Sequence, residues 1–153
     1  MSEHTRHSTI DALFEQLFDD YRQPILNYLY RLLGDGAQAE EVCQDVFLKA
    51  YRALPRLPAD ANHRAWLYRI ASNAAIDKHR RRRLLQWLPL LDRDAADCGV
   101  GTRDGPETHI SERSAVHHAL QALPLHYRQP LVLFSVQGYS VHEISQMLGM
   151  SEG

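Results

Sequence analysis

A chain of 153 residues has room for one ordinary domain or two small ones, and 44% hydrophobic with 24% charged residues places it among soluble globular proteins. No apolar run approaches the roughly 18 residues a membrane span needs, and the opening MSEHTRHST lacks a signal-peptide core, so a cytoplasmic chain without membrane insertion is expected. Two distant cysteines, Cys43 and Cys98, show no CxxC spacing; they point to a reducing compartment and offer no disulfide framework.

In chain order, residues 10–33 place Leu13, Phe14, Leu17, Phe18, Tyr21, Ile25, Tyr28, Leu29 and Leu32 at helical spacing. Pro24 predicts a bend or a handover between two helical segments. Gly34-Asp35-Gly36 ends the element, and Asp35 with Gln38 three residues on predicts a capping box for the next helix.

That second helix, Ala37 to Leu54, predicts a buried stripe of Ala39, Val42, Cys43, Val46, Phe47, Ala50, Tyr51 and Leu54. Glu40, Glu41, Gln44, Asp45, Leu48 and Lys49 are left outward, which by pattern alone is a solvated face. Cys43 reads as a small core hydrophobe. Pro55 and Pro58 end the helix.

The following stretch, His63 to Arg83, holds seven Lys/Arg against one acid, Asp77. Its charge is plus six in a chain whose total is minus two, so the other residues carry minus eight. A concentrated basic surface on an acidic protein points to a negatively charged partner. Trp66, Leu67, Ile70, Ala71, Ala74 and Ala75 predict an apolar stripe, with Arg64, Tyr68, Arg69, Ser72, Asn73, Ile76 and Lys78 opposite. Arg, Tyr and Asn on one helical face suit nucleic acid: cations take phosphates, a ring stacks on a base, an amide pairs with a base edge. A basic helix end favoured by the helix dipole is the plainer alternative.

Beyond Arg83 the sequence loses periodicity, and Pro89 to Pro106 reads as a flexible acidic linker. Asp92, Asp94, Asp97 and Asp104 do not follow a calcium-loop spacing. Helical spacing resumes at Ile110 with Ala115 or Val116, Ala119, Leu120 and Leu123, and Pro130 fits the first turn of a further helix, PLVLFSVQG. Ser140-Val141-His142-Glu143 predicts a capping box opening a short helix closed by Gly149, the first half of a helix-turn-helix. Nine histidines form no ligand-spaced set, and no phosphate loop or nucleophile elbow appears; catalytic residues, metal ligands and cofactors are therefore none, and the chain is not read as an enzyme.

Four segments in this order, AEEVCQDVFLKAYRAL, AWLYRIASNAAIDKHRRRR, LPLHYRQPLVLF and GYSVHEISQMLGMSEG, make the chain resemble the extracytoplasmic-function sigma factors of bacterial RNA polymerase. The resemblance implies an all-α fold: a three-helix region two over 1–88, a linker over 89–107, and a helix-turn-helix region four over 108–153. It implies as partners core RNA polymerase (clamp helices of the largest subunit, flap of the second-largest), promoter DNA and an anti-sigma factor. Glu41, Gln44, Asp45 and Leu48 would bind polymerase. The loop Pro58 to Arg64 would capture flipped bases of the promoter minus-ten element, and Arg64, Arg69, Asn73, Lys78, Arg80, Arg81 and Arg82 would contact that strand. In the family, region four reads the minus-thirty-five element with a helix after SEG, typically beginning Thr-Val and rich in Arg. Its absence predicts an incomplete region four in which Leu133, Ile144 and Leu148 lose part of their core. A truncated interaction protein that binds polymerase or an anti-sigma factor without directing transcription is the alternative.

Overall fold

The computed structural model describes residues 3–87 and 111–151. Among them are six α-helices and no strand: α1 (Glu3–Leu33), α2 (Gly36–Ala53), α3 (His63–Trp87), α4 (Ser111–Ala122), α5 (Leu125–Ser135) and α6 (Val141–Leu148). The expected acidic linker, with Cys98 and its four Asp residues, lies outside the described residues.

Helix ends follow the local chemistry. Gly34 takes φ 77° after α1, and its amide returns to the Tyr30 carbonyl at 2.8 Å. Asp35 accepts from the Gln38 amide at 3.1 Å and so starts α2. Gln38 does not reciprocate; its buried Oε1 has no partner among the described residues, so the expected box is half made. Asn62 accepts from the Ala65 amide at 3.0 Å. This puts His63 and Arg64 in the first turn of α3, and the loop predicted to reach Arg64 ends at Asn62. Ser140 and Glu143 form the full capping box of α6, and Gly149 closes it at φ 65°.

α1 runs as one helix through Pro24, so of the bend or handover expected there the handover is not made, and Ile25, Tyr28 and Leu29 are fully buried in the next turn. The Pro130 expectation is corrected. α5 begins at Leu125, so Pro130 sits in its interior rather than its first turn. Arg128 and Gln129, both buried and hydrogen-bonded in the turn before it, hold that turn helical despite the missing donor.

Buried residues from all six helices form one cluster. α3 packs against α1, α2 and α6, while α5 packs on α1. This arrangement buries Leu133 completely and leaves Ile144 8% exposed, so those two keep their core, contrary to expectation; Leu148 is half-buried. The reason is that α5 and α6 cover α1 and α3 instead of depending on one another alone. Among the described residues of α4 only Leu120 is buried, and Ala115, Val116 and Ala119 are exposed, against the predicted stripe.

Candidate nucleic-acid and protein interfaces

On α2 the helical repeat separates two faces. Ala39, Val42, Cys43, Val46, Phe47 and Ala50 are buried, and Glu40, Glu41, Gln44, Asp45, Leu48 and Lys49 are exposed. Tyr51, expected inside, is exposed, because its hydroxyl reaches the Asp11 carboxylate at 3.0 Å while its ring meets Phe14 edge-on. Burial pushes the Cys43 thiol upward, consistent with a packed hydrophobe. Leu48, 51% exposed, sits among polar neighbours on this face.

α3 is central, and its buried arc is wider than one apolar stripe. Tyr68 and Ser72, predicted on the open face, are buried. The Tyr28 hydroxyl and Ser72 Oγ share a 2.8 Å bond, and Tyr68 sits edge-on between Tyr28 and Tyr139. Burial raises the pKa of both tyrosines well above the ordinary value. No ring at position 68 is therefore free to stack on a base. Trp66, expected in the core stripe, is half-buried and packs against the core.

The seven predicted DNA-contacting residues divide into two sets. Arg69, Asn73 and Arg80 recur at spacings of four and seven and are exposed, with Arg81 exposed beside them. Arg64, Lys78 and Arg82 turn toward the rest of the protein. Lys78 Nζ pairs with Glu41 at 3.0 Å, joining the basic helix to the acidic face of α2. Arg82 donates to the Leu33 carbonyl at 3.4 Å, at the end of α1. Arg64 pairs with Glu143 of α6 at 2.5 Å and lies over the Tyr139 ring at 5.1 Å. Even Arg69, on the open side, donates to the Gln146 carbonyl of α6. The Ser140 amide and hydroxyl, with Arg64, hold the Glu143 carboxyl below the usual carboxylate range.

Sequence reasoning missed Tyr127, Leu131 and Phe134 of α5, exposed at spacings of four and three. Their spacing marks an apolar stripe, which the proline in their midst obscured. It also missed Arg128, buried at the junction of α1, α4 and α5: it donates to the carbonyls of Leu32, Gln121 and Leu123.

Residues 17–84 match Sigma-70 region 2, and residues 113–153 match Sigma-70 region 4. The ECF RNA polymerase sigma factor SigM of Mycobacterium tuberculosis is 33% identical over 141 residues, covering 92% of this chain and 68% of SigM. The chain belongs to the extracytoplasmic-function sigma factors. The RNA polymerase sigma factor SigZ of Bacillus subtilis is 32% identical over 90% of this chain and 75% of its own. Among solved structures, CnrH in complex with the cytosolic domain of CnrY aligns with a TM-score of 0.66 at 26% identity, covering 97% of this chain and 81% of CnrH. The Bartonella quintana sigma factor RpoE, in complex with the anti-sigma factor NepR, shares the fold with a TM-score of 0.68 at 20% identity, over 92% of this chain and 85% of RpoE. As a sigma factor, the chain serves RNA polymerase in transcription initiation. Among the described residues no helix is long and apolar enough to cross a membrane.

Proposed function

We propose that this sigma factor works in the cytoplasm as a non-catalytic subunit organised as region two over 1–88, a linker over 89–107 and region four over 108–153. Glu41, Gln44, Asp45 and Leu48 bind the clamp helices of the polymerase largest subunit, where an acidic row with one apolar anchor complements a basic coiled coil. The stripe Tyr127, Leu131 and Phe134 takes the flap of the second-largest subunit. Arg69, Asn73, Arg80 and Arg81 hold the unwound minus-ten strand, and Arg64, Lys78 and Arg82 join them once released from their internal partners. Separating stacked bases costs a few kcal/mol, which phosphate neutralisation and the 57–62 loop must offset.

The observation that carries this reading is the stripe Arg69, Asn73, Arg80: two cations flank an amide on the one open side of an otherwise packed helix. The cytosolic partner of CnrH and the anti-sigma partner of RpoE favour a similar inhibitory partner here. Runoff transcription with purified core enzyme tests the function. Specific transcripts are expected; polymerase binding without transcripts would instead establish an interaction protein that does not direct initiation.

A further inference from the structure

A cavity of about 320 Å3 opens where the end of α1 meets α3, α4 and α5, away from the outward stripe of α3. Among the described residues, three that bear guanidinium groups line it, Arg82 and Arg83 of α3 and Arg128 of α5, and no carboxylate does. His79 also lines it; burial first, then Arg128, Arg83 and Arg82, push its pKa down. The negative ends of α1 and α4 meet this cluster through the carbonyls held by Arg82 and Arg128. Each helix end is equivalent to about half a negative charge. Among the described residues, three full positive charges thus exceed their local compensation by about two.

The terminal nitrogens of Arg128 are engaged by oxygens of Leu32, Gln121 and Leu123, and Arg82 donates to the Leu33 carbonyl, so the donors left over are the Arg83 guanidinium and the Arg128 Nε. Arg83 is exposed and has no hydrogen-bond partner among the described residues. Arg128 is 4% exposed, and its Nε has no acceptor among the described residues. Side-chain amides of Gln86 and Gln121 complete the wall, and the Gln121 amide is held in place by donating to the Arg31 carbonyl at 2.9 Å. Gly34 faces the same amide so closely that a Cβ there would lie 2.7 Å from it. Guanidinium groups and neutral amides around a dianion-sized charge deficit are the chemistry of phosphate recognition.

We propose that this cavity binds a small phosphate oxyanion, bridging the end of α3 to α5. The ligand is either a free phosphate compound or a backbone phosphate of a nucleic-acid strand. The site does not rest on the promoter-strand reading: Arg82 is shared with that reading, but Arg83 and Arg128 take no part in it.

Calorimetric titration of the full chain with sodium pyrophosphate, at ionic strength held constant with sodium chloride, tests the site. Wild-type protein is expected to bind one equivalent. Arg83→Gln, at an exposed position, is expected to weaken binding about tenfold, the loss of one charge-assisted bond, while Arg56→Gln, an exposed control elsewhere, changes it less than about twofold. Absence of saturable binding overturns the proposal, as do equal losses in both variants, which would mean diffuse attraction. A single-stranded oligothymidylate without terminal phosphates then separates the sources. Displacement of pyrophosphate that requires Arg83 identifies a backbone phosphate; failure to displace identifies a free phosphate compound.

Discussion

Arg128 shows how one side chain can join three helices. Its two terminal nitrogens serve the last carbonyls of α1 and of α4, groups that no helix can satisfy from within. Arg128→Met keeps the stem and orphans those carbonyls. At about 1–3 kcal/mol for each buried group left unpaired, urea denaturation is expected to show a loss of at least about 3 kcal/mol. Gly34 is constrained twice, by its positive φ and by the approach of Gln121. Gly34→Ala is expected to destabilise by about 1–2 kcal/mol in the same measurement. At the proposed DNA face the roles differ by chemistry. Arg80→Ala is expected to weaken single strands of every sequence and to lower the log-log salt slope by about 0.7, whereas Asn73→Ala alters the preference among sequences. Fluorescence anisotropy over a salt series separates them.

At the scale of the element, α2 was legible because one side faces the core and the other faces solvent, so its apolar repeat maps onto burial except at Tyr51. α3 was legible as a helix and as a basic element. Its exposed arc was not, because three neighbours narrow it, and Tyr68 and Ser72 are claimed by Tyr28, 40 or more positions away in sequence. For the same reason the seven candidate residues could be named, but not divided into the open stripe and the internally paired set: Lys78 needs Glu41, and Arg64 needs Glu143, before its direction is known. α4 misled because it touches the core near one end, at Leu120, so its apolar spacing has nothing to pack on elsewhere. The capping box of α6 depends only on residues three apart and was readable as it stands. Its Glu143 carries a consequence with pH. A carboxyl held low in the folded state contributes stability that is complete above the unfolded value of about 4.3 and is lost as pH falls through the lower folded value. Glu143→Gln is expected to flatten the dependence of the thermal midpoint on pH below about 4.3, with little change at pH 7 in the helical content seen by circular dichroism.

At the scale of the whole molecule, α6 lies across the start of the basic helix. Arg64 and Arg69 spend donors on Glu143 and Gln146, Tyr68 donates to Gln137 at 3.1 Å, and Gln137 donates to the Pro24 carbonyl at 3.3 Å. In the proposed reading, strand binding through Arg64 therefore competes with α6. Glu143→Gln is expected to raise affinity for single-stranded DNA by a factor of about two to ten, the gain from a larger binding-competent fraction, and the anisotropy titration reads it directly. The acidic face of α2 points away from the core and stays available in this arrangement. The most direct measurement is the affinity of the full chain for purified core RNA polymerase at low ionic strength, beside Asp45→Lys. The account predicts saturable binding that weakens as salt rises and falls at least about tenfold on charge reversal. Failure to associate, or undiminished binding by Asp45→Lys, would contradict it.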